Sequence, residues 1–129
     1  MKIEHVAFNI SEPVKAAQWY AEHLDMQIVR ASTESPYAHF LADSAGCGVL
    51  EFYHDPRGEV PDYQALSPYT LHIAFMADDL EATRARLVAA GATAEGVTLT
   101  TPSGDQLAFV RDPWGVTLQL AKRVKPLVE

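Results

Sequence analysis

Four polar side chains stand inside short apolar runs where a buried strand would otherwise carry none. His5 lies in Ile3-Glu4-His5-Val6-Ala7-Phe8 and His72 in Thr70-Leu71-His72-Ile73-Ala74-Phe75, 67 positions apart. Glu51 lies in Val49-Leu50-Glu51-Phe52 and Gln119 in Thr117-Leu118-Gln119-Leu120, 68 positions apart. Two imidazoles, a carboxylate and an amide oxygen form an N/O donor set. Such a set suits a borderline divalent ion (Zn, Ni, Co, Mn or Fe) and leaves coordination positions open for water or substrate. No thiolate joins it, which argues against a closed structural zinc. Taken singly, each residue has a plainer reading: a histidine in an amphipathic strand is usually hydrogen-bonded core or surface, and Glu51 and Gln119 fit the polar face of half-buried strands. The matched spacing makes them a set, because it is the mark of an internal duplication.

Strands and helices must position these donors. Residues 2–10 read as a strand, and Ser11 and Pro13 as the start of a helix running to about Leu24 with Val14, Ala17, Trp19, Tyr20 and Leu24 inward. Asp25 tolerates the left-handed stop that glycine usually makes. Strands follow over 26–31, 37–42 and 48–53, the last two a hairpin across Asp43-Ser44-Ala45-Gly46. Residues 57–67 read as a linker, with a short helix at 62–66. The second half repeats the order. It has a histidine strand over 68–76 and a helix capped by Asp78, with Glu81 in capping-box spacing and Gly91 at its end. Strands near 93–99, 106–110 and 116–122 close it, with the turn Asp112-Pro113-Trp114-Gly115 between the last two. The fold class is α+β: two βαβββ modules in tandem, about 1–56 and 68–123, in one domain over 1–129. Period two places His5 with Ile3, Ala7 and Asn9, and Glu51 with Val49 and Tyr53. It places His72 with Thr70, Ala74 and Met76, and Gln119 with Thr117 and Ala121. If the two halves curl toward each other, the four donors converge.

Composition narrows the function. A formal charge of −7 at neutral pH argues against nucleic acid as a default partner. One cysteine, Cys47, excludes an intrachain disulfide and favours a reducing, cytoplasmic setting. No run approaches the roughly 20 apolar residues that span a bilayer, and the start lacks the pattern of a signal peptide.

Several phrases then carry a resemblance: Ile3-Glu4-His5-Val6, Trp19-Tyr20 with Leu24 and Met26, Leu71-His72-Ile73-Ala74-Phe75, Asp78-Asp79-Leu80, Ala89-Ala90-Gly91-Ala92, and Phe109-Val110-Arg111-Asp112-Pro113-Trp114-Gly115 leading into Leu118-Gln119-Leu120. Over nearly its whole length the chain resembles the vicinal oxygen chelate superfamily, which includes glyoxalase I, bleomycin-resistance proteins, fosfomycin-resistance enzymes and extradiol dioxygenases. The resemblance implies paired βαβββ modules whose curved mixed sheet encloses a site, usually with a divalent metal, and a homodimer. It places the metal positions on His5, Glu51, His72 and Gln119. Gln119 departs from the glutamate that glyoxalase-like isomerases use to carry a proton, which leaves Glu51 as the base. Asn9 and His54 stand near where a glyoxalase would offer an arginine and an asparagine to glutathione, so glyoxalase I itself is not expected. The expectation is a metal-dependent glyoxalase-like enzyme, of lyase or isomerase type, acting on a small oxygenated organic molecule. The alternative is a drug-sequestering binding protein walled by Tyr37, Phe40, Tyr53, Phe109 and Trp114; a third is a regulatory domain that kept only the fold. His54, Tyr53, His39, Tyr37 and Arg111 are further candidates to line the pocket, with an inward Arg111 pointing to an anionic substrate.

Overall fold

A computed structural model describes residues 1–128; residue 129, the last of the expected domain, lies outside it. The chain divides into two compact units, Met1–Pro61 and Asp62–Glu129. The division falls inside the expected linker.

In the first unit, β1 (Val6–Asn9) leads into α1 (Pro13–His23), followed by β2 (Gln27–Ala31), β3 (His39–Ala42) and β4 (Val49–Tyr53). The sheet order is β1-β4-β3-β2, with β1 parallel to β4 and the other pairs antiparallel. The second unit holds β5 (Ile73–Met76), α2 (Leu80–Ala89), β6 (Thr93–Thr100), β7 (Gln106–Arg111) and β8 (Thr117–Lys122), in the order β5-β8-β7-β6. It too pairs its first and last strands in parallel. The α+β reading and the tandem βαβββ modules are therefore what the chain adopts.

Each sheet has two unlike faces. In the first unit Tyr20 of α1 packs on Phe52 with ring centroids 4.7 Å apart, and Phe52 meets Phe8 at 6.0 Å. Phe52 therefore marks the helix-covered face, which Leu50 and Leu41 share; Leu50 is directly opposite Leu41 in register. Alternation then puts Glu51, Val49 and Tyr53 on the other face. In the second unit Ala108, Val110, Leu118 and Leu120 are buried on one side of their strands, as is Leu87 of α2. Phe109 and Gln119 point to the opposite side.

The helix starts sit one residue later than the sequence suggests. Ser11 does not cap α1: the parallel ladder continues to Ile10, whose N–H donates to the Tyr53 carbonyl at 2.8 Å. Pro13 at the first helical position then forces the residue before it out of the helical region, so Glu12 (φ −133°) is the N-cap. For α2 the cap is Asp79, whose carboxylate accepts from the Ala82 N–H at 3.0 Å. Asp78 is displaced from that role because Ala77 still donates to the Ala121 carbonyl of the sheet. Glu81 bonds the Thr98 hydroxyl instead of closing a capping box. Val14, expected inward, is exposed, and Ala16 is buried in its place. Asp25 does take the left-handed conformation, at φ 53°. The short helix expected within the linker is a 3-10 turn, Tyr63–Ala65, capped by Asp62. No helix among the described residues is long and apolar enough to cross a membrane.

Candidate functional site

Parallel pairing of the first and last strands places each histidine. In the first unit Ala7 stands opposite Glu51, and Glu51 stands opposite Phe40. His5, two residues before Ala7, is carried to the same side. Its Nε2 lies 3.0 Å from Glu51 Oε2, and its ring meets Phe40 edge-on at 5.4 Å. In the second unit Ala74 stands opposite Gln119, and Gln119 opposite Phe109. His72, two residues before Ala74, again rests its ring on the phenylalanine, at 5.6 Å. Alanine, polar residue and phenylalanine thus recur in the same ladder positions of both sheets; the histidines stand just ahead of β1 and β5, which begin at Val6 and Ile73 and are shorter than the strands expected over 2–10 and 68–76.

Both imidazoles are held by the same nitrogen. His72 Nδ1 donates to the Pro68 carbonyl at 2.8 Å, and His5 Nδ1 bonds the Glu4 carboxylate. A proton fixed on Nδ1 leaves Nε2 as the free donor of the neutral ring, the arrangement of a metal-ligating histidine oriented by an outer partner. The hydrogen bond to Glu4 raises the His5 pKa above its ordinary 6.5; the charges of Glu4 and Glu51 act in the same sense, and partial desolvation opposes them. An Nε2 lone pair aimed at the Glu51 carboxylate needs a cation between them, either a proton or a metal ion. Two donors bound to one ion at about 2.0–2.2 Å and roughly a right angle apart stand about 3 Å from each other, so the observed spacing fits either occupant. Gln119 is 7% exposed and stands opposite Phe109 in register. By its chemistry and spacing the His5–Glu51 pair is an N/O donor pair that suits a divalent ion. Within the described residues no cluster of three or more His, Cys, Asp or Glu side chains forms a metal set, so each unit offers one imidazole and one oxygen donor.

The other candidate liners have structural work. Arg111, expected to point to an anionic substrate if aimed inward, is buried and makes four hydrogen bonds within its own unit. Its Nε donates to Glu95 at 2.8 Å, Nη1 to the carbonyls of Tyr63 and Gly115 at 3.0 and 3.2 Å, and Nη2 to the Leu66 carbonyl at 2.8 Å. It pins the 3-10 turn to the sheet. His39 is buried opposite Phe52, on the helix-covered face, with Nδ1 bonded to the Tyr37 carbonyl at 2.7 Å. His54 bonds the Ile10 carbonyl at 3.2 Å. Asn9, on the site's face by period two, bonds the chain at residues 55–59: Nδ2 donates to the Asp55 and Gly58 carbonyls at 2.9 and 3.1 Å, and Oδ1 accepts from the Asp55 N–H at 3.0 Å. Cys47 is exposed in the β3–β4 turn.

Two residues of the site were not singled out from the sequence. Glu4 faces away from His5 if residues 2–10 form a regular strand, yet it is the partner of the His5 ring. Arg30 stacks its guanidinium over Phe40, 6.0 Å from the ring centroid. The clue to Arg30 would have been a bulge, which strand periodicity does not announce.

Paired βαβββ modules, each presenting a histidine and an oxygen donor on the face away from its helix, define a class of protein built by duplication around small-molecule sites. The chain belongs to the Glyoxalase/Bleomycin resistance protein/Dioxygenase superfamily, whose model matches residues 2–120. A glyoxalase family protein from Bacillus cereus superposes with a TM-score of 0.79 at 14% identity, over 94% of this chain and 93% of its own. The protein SMU.1112c is 27% identical with a TM-score of 0.71, over 95% of this chain and 98% of its own. TnmS3, an antibiotic binding protein from Streptomyces, is 21% identical with a TM-score of 0.65, over 93% and 96%. No curated protein sequence matches the chain.

Proposed function

We propose that the protein is a metal-dependent glyoxalase-like enzyme, of lyase or isomerase type, acting on a small oxygenated organic molecule. His5, Glu51, His72 and Gln119 would be the ion's ligands. The single observation that carries this reading is the 3.0 Å approach of His5 Nε2 to Glu51 Oε2, with the other ring nitrogen tied to Glu4. A divalent ion bound there supplies Lewis acidity toward substrate oxygens. The remaining chemistry belongs to the chain. Glu51 is the one carboxylate among the four donors, so it accepts the proton removed from a carbon beside the substrate carbonyl. Glu4 keeps the His5 ring in one orientation. Phe40 and Phe109 give the histidines flat apolar supports and keep water from one side of each. The protein acts as a cytoplasmic homodimer in this reading.

Calorimetric titration of the purified protein with Zn, Ni and Mn tests the assignment. Saturable binding that is lost in His5→Ala and in His72→Ala is expected. No uptake of any of the three ions would leave the reading without support.

A second reading is sequestration of an aromatic compound without turnover. The edge-on contacts of His5 on Phe40, and of Tyr69 and His72 on Phe109 at 5.7 and 5.6 Å, favour it, since such rings offer faces to a planar ligand. Tight binding of planar ligands by metal-free protein, unchanged by added ions, would select it.

A further inference from the structure

The sheet of the first unit carries a free cation on the same face as His5 and Glu51, and a defect in the sheet is what puts it there. β2 pairs with β3 through Gln27 and Ala42, Ile28 and Leu41, then Arg30 and Phe40, with a register shift between Ile28 and Arg30. Ile28 stands opposite Leu41, on the helix-covered face. In a regular strand Arg30, two residues on, would share that face. The extra residue, Val29, reverses the alternation, and Arg30 emerges on the opposite face beside Phe40. Bulges commonly re-aim a side chain in this way next to functional sites.

The row across the sheet then reads Ala7, Glu51, Phe40, Arg30. The His5 ring and the Arg30 guanidinium both lie against the Phe40 ring, at 5.4 and 6.0 Å. They can be no farther apart than those two distances laid end to end, a span that a small dicarboxylic acid covers. Arg30 is exposed and has no carboxylate partner among the described residues. By contrast Lys15, Arg57, Arg111 and Arg123 are paired with Glu12, Asp55, Glu95 and Asp105. Nor is Arg30 satisfied by Glu51: that carboxylate faces His5, and two strand spacings put Arg30 roughly 10 Å away. In the second unit the matching row ends in Glu95, opposite Phe109, and Glu95 is neutralised by Arg111. The rows share alanine and phenylalanine, differ as carboxylate against amide at Glu51 and Gln119, and part in sign at their ends, where the first carries an unpaired positive charge.

We infer that Arg30 is an anion anchor: the site takes an oxygenated substrate with a carboxylate or comparable anion at one end, held by the guanidinium, while the oxygen-bearing end reaches His5 and Glu51. This deepens the proposed function and rests on its placement of the site. A guanidinium laid on an aromatic ring keeps its fork free for two parallel hydrogen bonds to a carboxylate. In a chain of net charge −7, such a point also decides where an anion can approach.

The test compares two probes alike at the chelating end: 2-oxoglutarate, with a distal carboxylate, and 2-oxopentanoate, with a methyl group there. Affinities are measured by NMR titration for wild type, Arg30→Gln and Arg30→Lys, each metal-free and with added Zn. Wild type is expected to prefer 2-oxoglutarate by about tenfold. Arg30→Gln should abolish the preference while leaving 2-oxopentanoate unchanged, and Arg30→Lys should keep part of it. Arg30 is exposed, so these variants are expected to fold as wild type does. A wild type without preference, or a preference that survives in Arg30→Gln, overturns the anchor. If Zn fails to bind but the Arg30-dependent preference persists in metal-free protein, the metal reading fails and the anchor stands. If Zn binds and no preference exists, the reverse holds.

Discussion

Glu51 and Gln119 occupy one structural position twice. Each lies in the strand paired in parallel with the first strand of its unit, opposite an alanine on one side and a phenylalanine on the other: Ala7 and Phe40 for Glu51, Ala74 and Phe109 for Gln119. Those neighbours are repeated, and the pair itself differs by one atom's chemistry, a carboxylate oxygen against an amide nitrogen. In the proposed metal set a charged and a neutral donor would hold a divalent cation with less negative charge than two carboxylates, and would leave a single residue able to take a proton.

Gln119→Glu should therefore tighten divalent-ion binding and load the free protein with a costly charge. The position is 7% exposed. An added carboxylate without a counter-ion should lower stability by about 2 kcal/mol, roughly 6–10 °C in Tm for a chain of this size. Zn should restore the loss. Thermal melts with and without Zn read both effects. A variant as stable as wild type and indifferent to Zn would mean that residue 119 does not face a cation.

Arg111→Met should destabilise the protein by about 3 kcal/mol in urea, because it removes charge-assisted bonds to three backbone carbonyls and the Glu95 carboxylate. Arg111→Lys should recover little, since one ammonium cannot reach the spread of acceptors that a planar fork reaches. A loss below about 1 kcal/mol for Arg111→Met would show that the 3-10 turn is held by packing alone.

What the sequence made legible was whatever is written in spacing. The duplication, the order of elements, the left-handed Asp25 and the short helix within the linker all follow from repeats, caps and periods. What it hid depends on the third dimension. Arg111 sits in the turn-flanking phrase where a substrate-facing cation is plausible, and only the fold brings Tyr63 and Leu66 to it. Arg30 was invisible because counting by twos fails across Val29. Ser11 and Asp78 were one residue early because the parallel ladders run on to Ile10 and Ala77 before the helices begin.

Asp105 ties the end of the chain, and the tie should fail in acid. Its carboxylate accepts from the Val124 N–H at 2.8 Å and from Arg123 Nη1 at 2.9 Å. These bonds, the Val124 N–H first, hold its pKa below the ordinary 3.8. The partners are 19 and 18 residues away, so they are absent in the unfolded chain, and the folded value lies below the unfolded one. Stability from this group is then fully present above about pH 4 and is lost as pH falls through the folded pKa. Asp55 makes a contrast. Arg57 pushes it down to about 2, but from two residues away. That pair can form in the unfolded chain too, so it contributes little to the pH dependence of folding. NMR titration should show the Val124 amide shifting with the Asp105 carboxyl below pH 4. In Asp105→Asn that shift should vanish. A Val124 amide that does not respond between pH 4 and 2 would rule the tie out.

Gly115 shares its task with Arg111. Its φ is +89°, and a Cβ there would stand 2.7 Å from the Gln64 backbone nitrogen and 3.0 Å from the Gln64 Cα. Gly115→Ala therefore meets two penalties: a left-handed backbone, about 1–2 kcal/mol, and a backbone clash that only displacement of the 3-10 turn relieves. Gly96→Ala isolates the first penalty, since Gly96 has φ +63° and open space around its would-be Cβ. Gly115→Ala should cost clearly more than Gly96→Ala in urea denaturation. The Gly115 carbonyl is also an acceptor for Arg111 Nη1, at 3.2 Å. Once the turn is displaced, the Arg111 bonds to Tyr63 and Leu66 are already weakened. Gly115→Ala combined with Arg111→Met should then cost less than the sum of the two, by about 1 kcal/mol or more. Strict additivity would mean that the glycine and the arginine hold the turn independently.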